Sequence, residues 1–405
     1  MKKILAILLV LGLIAGCAPA ERPRDGLPQS TRVYRPAAAR PVAAAPVAAL
    51  AAEPAPAAAP TAADTAADTA AEADESPQEE IPDGTRFFRR DNGQIVFHVA
   101  TQTSASHPLS YGLLRFQHEV ETRSYGEIEV IVHIAAGSDV ELLGQVNNSE
   151  LDASIISMWS LWSGINEMAN LEALPFIFTN YEEAWAAYEG ALGEWVAENI
   201  IEPGGAYALG FWTNGLRHFT NNVRPITTPA DMQGLRMRSP QASAHVAMYE
   251  ALGAQSLALP FGEVHAGLAR GDFDGQDNPL AQIYFANLHE VQNYLSLSGH
   301  MFSSAPLIVS EDFWNLLNAR QREVLEMSSL ISARFQGRLT QEMETEQLMN
   351  IMNYGTQVND VNVAPFANAV EGVWRDHMNR FGNEFATIAS RYIADTNSLA
   401  HRFAD

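Results

Sequence analysis

The segment TPADMQGLRMRSP, residues 228–240, joins a helix start to a short strand and sets the pattern of the folded part. Thr228 is placed to cap a helix, and Pro229 takes its first position, where a backbone N–H is not needed. Residues 235–238 follow as a strand. The same alternation of strand and helix recurs along the chain. It predicts an α/β fold with open, mostly parallel sheets and helices on both faces.

Hydrophobic spacing on either side of this segment predicts the other elements. Predicted strands cover residues 95–100, 127–134, 151–156, 206–212, 255–259 and 273–276. Predicted helices cover residues 108–124, 140–148, 181–201, 244–252 and 262–269, and a long helical stretch runs from residue 311 to about residue 352. Roughly 310 residues of this pattern exceed the usual size of one core, so we expect two lobes with the long helical stretch crossing between them.

Composition excludes several classes of protein. The 405 residues carry a formal charge of −23, from 48 acidic and 25 basic side chains. This balance argues against an electrostatic surface for nucleic acid or an anionic membrane. The single cysteine, Cys17, excludes disulfides within the chain and a cysteine-based zinc finger.

The first 83 residues are predicted to lie outside the folded part. Lys2 and Lys3, an apolar run over residues 4–14, and Ala-Gly-Cys at residues 15–17 form a secretory signal peptide (1–16), too short to span a bilayer. The end of this segment resembles the lipobox of bacterial lipoproteins, which implies lipidation of Cys17; the alternative is an ordinary signal with a chance cysteine. Residues 36–60 contain 14 Ala and 6 Pro, so residues 18–83 are predicted to be a disordered tether.

Motifs of catalysis, metal binding and cofactor binding are missing from the sequence. It has no Gly-x-Ser-x-Gly elbow, no phosphate loop and no Gly-x-Gly-x-x-Gly. His118-Glu119 and His289-Glu290 each lack the second histidine of a zinc protease, and residues 272–283 lack the glycine and glutamate positions of a calcium loop. We therefore expect no metal, no cofactor and no enzymatic activity.

Arginines near two predicted strand ends indicate a binding site. Arg217 follows the strand 206–212, and Arg236 and Arg238 alternate to the same side of the strand 235–238. Strand ends in an open α/β sheet face the ligand crevice, where an arginine clamps a carboxylate through charge-assisted hydrogen bonds. The alternative is that these arginines only balance an acidic surface.

Further motifs decide between these alternatives. Residues 260–264 read PFGEV, residues 271–279 read GDFDGQDNP, residues 231–238 read DMQGLRMR and residues 174–178 read LPFIF. In this order they resemble the signature of solute-binding proteins of tripartite ATP-independent periplasmic (TRAP) transporters, over roughly residues 94–385. Asp277 stands where that family commonly has glutamate. The resemblance implies a two-lobed, type II-like periplasmic-binding-protein fold with a long lobe-spanning helix. Lobe I would hold residues 84–214 and about 304–343, and lobe II residues 215–303 and about 344–405.

The resemblance also implies roles for individual residues. Arg238 would form the main salt bridge to a ligand carboxylate, Arg217 would hold the same carboxylate or a neighbouring oxygen, and Asn278 would hydrogen-bond that end of the ligand. Arg236 would face outward or brace the sheet, in conflict with the alternation that places it beside Arg238.

Selection of the rest of the ligand is expected from lobe I. His107, Trp159 and Trp212 are candidate contacts; their alternatives are an exposed loop histidine and two core tryptophans. Ser157 and Met158 end a strand and are expected to line the pocket. Asp139 and Glu141 begin a helix, where the helix dipole favours acids in any case.

The expected function is capture of a small organic acid outside the cytoplasm and its delivery to the membrane subunits of a TRAP permease. C4-dicarboxylates, sugar acids and keto acids stay open as ligands. We expect a monomer, held by its lipid in the periplasm or on the outer face of a bacterial membrane. The alternatives are a lipid-anchored ligand sensor and a lipoprotein enzyme acting on small acids.

Overall fold

The computed structural model describes residues 93–404. The signal peptide, Cys17 and the tether lie outside these residues. The described strands are β1 (Ile95–Thr101), β2 (Ile128–Ile134), β3 (Ala153–Ile155), β4 (Ala206–Asn221), β5 (Arg236–Ser239), β6 (Gln255–Ala258), β7 (Gly275–Pro279), β8 (Tyr294–Ser310) and β9 (Gln357–Asp360).

Helices surround these strands. They are α1 (Pro108–Arg123), α2 (Asp139–Asn147), α3 (Tyr181–Tyr188), α4 (Ala191–Val196), α5 (Ser243–Ala251), α6 (Val264–Arg270), α7 (Leu280–Phe285), α8 (Glu311–Leu316), α9 (Ala319–Tyr354), α10 (Ala364–Ala369), α11 (Glu371–Phe381), α12 (Glu384–Ser390) and α13 (Leu399–Arg402). No helix within residues 93–404 is both long enough and apolar enough to cross a membrane.

The strands form one mixed sheet in the order β2-β1-β3-β8-β4-β7-β5-β6, with β9 on the edge of β8. Its centre is a long antiparallel ribbon of β4 and β8. β3 pairs with residues 307–309 of β8 at one end of this ribbon. β1 pairs with β3, and β2 pairs with β1. β7 pairs with residues 217–221 of β4 at the opposite end. β5 pairs with β7, and β6 pairs with β5. The α/β class is confirmed, but the sheet is mixed rather than mostly parallel because the ribbon is antiparallel.

Several predicted elements differ from the structure, and two of the differences have a clear cause. The predicted helix 181–201 divides into α3, α4 and a final π-helical turn, because Gly190 interrupts it. A side chain at Gly190 would lie 2.3 Å from the hydroxyl of Tyr392, so the chain turns where only glycine fits. The predicted strand 206–212 extends to Asn221 because β8, which was not predicted, pairs with its whole length.

Helix α9 runs beside both parts of the molecule. Along its length it contacts α1, β4 and α7. Near Gly112 of α1 the approach is very close, since a Cβ on this glycine would lie 2.5 Å from the ring of Trp212 and 2.8 Å from Cγ of Gln336. The core therefore leaves no room between α1, β4 and α9.

Candidate functional site

A cavity of about 340 Å³ opens where the two ends of the sheet face each other. Its first wall is formed by Gln102, by the start of α2, and by Ser157 and Met158. Gln102 follows β1, and the last two residues follow β3. β5, β7, α7 and the loop after β6 form its second wall. The residues that line it are Gln102, Ser138, Asp139, Val140, Glu141, Ser157, Met158, Leu161, Asn214, Arg217, Arg238, Pro240, Gln241, Leu259, Pro260, Phe261, Asn278 and Gln282. Its size is in the range of small-molecule sites.

Arg238 is the most unusual residue of the second wall. It lies on β5, is only 3% exposed, and donates from Nε and Nη2 to the carbonyl oxygen of Leu259 at 2.9 and 2.5 Å. Among residues 93–404 no carboxylate comes within ion-pair distance of it. Burial, with a smaller contribution from the neighbouring Arg217, lowers the pKa of Arg238 to about 9. A buried cation without a partner anion is costly, so this guanidinium favours an anion in the cavity.

Arg217 also lines the cavity but has a permanent partner. Its Nε donates to Oδ2 of Asp277 at 2.6 Å, and its Nη2 donates to the backbone oxygen of the same residue. Both side chains are almost completely buried. Burial opposes ionisation of Asp277, but Arg217 and His245 outweigh it and hold the pKa of this carboxyl well below its usual range. The pair fixes the position of Arg217 beside Arg238.

Three further side chains surround Asp277. Nε2 of His245 lies 2.7 Å from Oδ1, the hydroxyl of Tyr249 donates to the same oxygen, and Nε2 of His300 lies 3.3 Å from Oδ2. Burial lowers the pKa of His245 to about 4, and it also lowers the pKa of His300. The two histidines are therefore neutral at pH 7, and Asp277 balances the charge of Arg217 rather than theirs. Across the described part of the chain, no group of three His, Cys, Asp or Glu residues is arranged to hold a metal ion.

Amides complete the site around the arginines. Asn278, on β7, is buried, lines the cavity and donates from Nδ2 to Oε1 of Gln276. Asn214 donates to the backbone oxygen of Ser157 at 3.0 Å and accepts from Nε2 of Gln282 at 3.3 Å. Asn214 and Gln282 were not predicted. Only their positions in the sequence could have indicated these two residues. Asn214 precedes Gly215 near the predicted strand end, and Gln282 follows the 271–279 motif.

The first wall carries a carboxylate. Asp139 is 5% exposed, and its Oδ2 accepts from the backbone N–H of Ser157 at 2.9 Å and from Nε2 of Gln102. Gln102 also donates to Oγ of Ser157 at 2.6 Å. Burial raises the pKa of Asp139 to about 6. Ser157 and Met158 line the cavity where the sequence placed them.

The other three candidates do not line the cavity. Trp159 is buried in the core and donates to the hydroxyl of Tyr188 at 3.1 Å. Trp212 is also in the core and donates to Oγ of Ser329 at 3.1 Å. His107 is 1% exposed and caps α1, where Nδ1 accepts from the backbone N–H of Leu109 at 3.2 Å. Thus His107 is neither a cavity residue nor an exposed loop histidine.

Arg236 follows the resemblance rather than the alternation. Its Nη2 lies 2.6 Å from Oδ1 of Asp274, and it donates to the backbone oxygens of Gly271 and Asp272. Its side chain is 41% exposed, against a buried Arg238 two residues later. The alternation argument is wrong here because these contacts draw the Arg236 guanidinium to the 271–274 loop, away from the cavity.

A mixed sheet with a cavity lined from both of its ends, and a buried guanidinium there without a carboxylate partner among residues 93–404, is typical of a solute-binding protein. The matching family model is that of the bacterial extracellular solute-binding proteins, family 7 (DctP), over residues 99–380. The chain belongs to this family, which contains the binding proteins of TRAP transporters.

Individual relatives agree with this assignment. The uncharacterized protein y4mM of Sinorhizobium fredii is 30% identical over 66% of the chain and 49% of its own length. The 2,3-diketo-L-gulonate-binding periplasmic protein YiaO of Escherichia coli is 25% identical over 69% of the chain and 84% of its own length. The crystal structure of a TRAP periplasmic solute-binding protein from a Sulfitobacter species, with bound β-D-galacturonate, matches with a TM-score of 0.68 and 26% identity, over 73% of this chain and 99% of that one.

Proposed function

We propose that the chain captures a small organic acid outside the cytoplasm and delivers it to the membrane permease of a TRAP transporter. The observation that carries this proposal is the buried guanidinium of Arg238, which lines the cavity and has no carboxylate partner among residues 93–404. A ligand carboxylate supplies the missing anion. The related proteins that bind 2,3-diketo-L-gulonate and galacturonate, both sugar acids, support this class of ligand.

Each residue of the clamp has a distinct part. Arg238 pairs with the carboxylate, and Arg217, held by Asp277, donates to the same carboxylate or a neighbouring oxygen. Asn278 hydrogen-bonds that end of the ligand. The clamp binds without turnover. His107, Trp159 and Trp212 act outside the cavity, as a helix cap and as core residues.

The proposal also covers the lobes, the oligomeric state and the membrane anchor of the protein. Residues 84–214 with about 304–343 form one lobe, and residues 215–303 with about 344–405 form the other. Two of the three boundaries then fall within the β4/β8 ribbon, and the third falls within α9. The protein acts as a monomer. A lipid on Cys17 and the tether that follows hold it in the periplasm or on the outer face of the membrane.

A thermal-shift screen tests the clamp. The purified protein is heated with C4-dicarboxylates, uronic acids, aldonic acids and keto acids, each also with Arg238→Ala and with Arg236→Ala as a matched control on the same strand. A ligand at 100 times its Kd adds about 2.7 kcal/mol and raises Tm by several degrees. We expect one class to shift the wild type and Arg236→Ala but not Arg238→Ala. A shift that survives Arg238→Ala, or none with any acid, would overturn the proposal.

A further inference from the structure

The first wall of the cavity is anionic, whereas the second wall is cationic. Asp139 and Glu141 line the first wall, and Arg217 and Arg238 line the second. No ion pair joins the acids of the first wall to these arginines within residues 93–404. A ligand that spans the cavity therefore meets positive charge at one end and negative charge at the other.

Asp139 has an oxygen that the protein leaves unused. Its Oδ2 accepts from Ser157 and Gln102, but its Oδ1 is buried and has no hydrogen-bond partner among the described residues. A buried carboxylate oxygen without a donor is destabilising, so such an oxygen indicates a donor that arrives with the ligand. Glu141 differs, because its carboxylate is exposed and accepts from the N–H and hydroxyl of Ser138, both at 2.8 Å.

We propose that Asp139 selects ligands that carry a hydroxyl group at the end remote from their single carboxylate, and that it rejects acids with a second carboxylate there. This inference rests on the proposed function, because it assumes that Arg238 holds the first carboxylate. A hydroxyl donates to the free oxygen of Asp139, whereas a carboxylate has no proton to donate and repels it. The ligand class is then the polyhydroxy monocarboxylates rather than the dicarboxylates.

The neighbourhood of Asp139 supports the selection. Burial raises the pKa of its carboxyl to about 6, which still leaves it ionised at neutral pH. Gln102 and the backbone of Ser157 hold Oδ2, and they fix the side chain in one orientation. The acceptor is therefore positioned before the ligand arrives, which lowers the entropic cost of binding.

The test uses pairs of acids that differ only in their last group, hydroxymethyl or carboxylate. Suitable pairs are glycerate and tartronate, erythronate and meso-tartrate, and galactonate and galactarate. Affinities are measured by calorimetry on the full protein at pH 7.5, for the wild type, Asp139→Asn and Glu150→Gln. Glu150 is exposed and lies outside the cavity, so its variant matches the change in charge alone.

We expect the wild type and Glu150→Gln to bind the hydroxymethyl member of at least one pair about tenfold or more tightly than its dicarboxylate. In Asp139→Asn this ratio falls toward one. The amide oxygen stays with the donors Ser157 and Gln102, and the amide NH2 takes the place of Oδ1. The hydroxymethyl acid then loses its acceptor, and the dicarboxylate loses its repulsion. A purely structural role of Asp139 would weaken both members equally and leave the ratio unchanged.

Two results would overturn the inference while the proposed function stands. One is a wild type that binds acids through Arg238 but prefers the dicarboxylate of every pair. The other is a ratio that Asp139→Asn does not alter. If no acid binds, or if binding persists in Arg238→Ala, the proposed function itself fails and this inference fails with it.

Discussion

Nε of Arg217 lies 2.6 Å from Oδ2 of Asp277, and both side chains are almost fully buried. Asp277 holds Arg217 beside Arg238, whose charge has no such partner. The second wall of the cavity thus has two buried cations, Arg217 and Arg238, whereas their one buried counter-ion, Asp277, lies behind it. In the proposed function, the ligand carboxylate supplies the second anion.

The first prediction concerns this pair. Asp277→Asn leaves Arg217 buried and unpaired, which is expected to reduce the free energy of unfolding by about 3–5 kcal/mol. The exposed pair of Arg270 and Asp272 is the matched control, and Asp272→Asn should cost about 1 kcal/mol or less. Urea unfolding measures both values. Equal effects of the two variants would contradict a structural role for the buried pair.

Arg238 should behave in the opposite way. Arg238→Met removes a buried charge that has no ion-pair partner, so the ligand-free protein is expected to unfold at the same or a higher temperature. The same change should weaken carboxylate binding by about 2–5 kcal/mol, or roughly 30- to 4,000-fold. Thermal unfolding and calorimetry are compared on one preparation. A ligand-free Tm well below that of the wild type would show that Arg238 is part of the fold.

Glu172 is expected to make stability fall as the pH rises from about 4.5 to about 8. It is fully buried, and it accepts from the N–H of Ser160 at 2.6 Å and from the hydroxyl of Ser304 at 3.1 Å. Burial raises the pKa of Glu172 to about 8, from an ordinary 4.5. Its contribution to stability is therefore complete below pH 4.5 and is lost as the pH rises through 8, on the order of 5 kcal/mol in all.

Glu172→Gln should flatten this dependence. The amide keeps an acceptor and does not ionise, so the urea midpoint of the variant should change less than that of the wild type between pH 5 and pH 8.5. The exposed Glu194 supplies the control variant, Glu194→Gln. Parallel curves for all three proteins would mean that Glu172 is not the titrating group.

Two helix glycines should respond oppositely to alanine. A Cβ at Gly112 would lie 2.5 Å from the ring of Trp212, so Gly112→Ala is expected to cost about 1–3 kcal/mol by overpacking α1 against β4 and α9. At Gly144 in α2 nothing lies within 4 Å of such an atom, so Gly144→Ala should stabilise by up to about 1 kcal/mol. Chemical denaturation measures both. Stabilisation by Gly112→Ala would refute the close approach.

Much of the fold could be predicted because its signals are local. Alternating apolar residues marked β2, and the cap at Thr228 marked the turn before β5, where its side chain and that of Asp231 form a capping box. β8 could not be predicted in this way. It reads YLSLSGHMFSSAPLIVS and is buried almost throughout, so it shows no regular alternation. Its serines are tolerated because of distant partners, such as Glu172 for Ser304.

The part of the site that could be predicted consists of residues that lie within sequence motifs. Arg238, Arg217 and Asn278 stand in the stretches that resemble the family, and all three line the cavity. Asn214 and Gln282 meet only because β4 and α7 pack together, a contact that no spacing in the sequence encodes. Conversely, Trp159 and Trp212 have the chemistry of ligand contacts but lie in the core.

The ribbon of β4 and β8 also determines when the sheet can form during synthesis. Ser154 of β3 pairs with Ile308, and Ala206 of β4 pairs with Ser310, so these two early strands pair with a strand that is synthesised much later. Pairings between such distant segments form slowly. The nascent chain therefore stays incompletely folded until most of it has been translated, and its unpaired strand edges then need protection from aggregation.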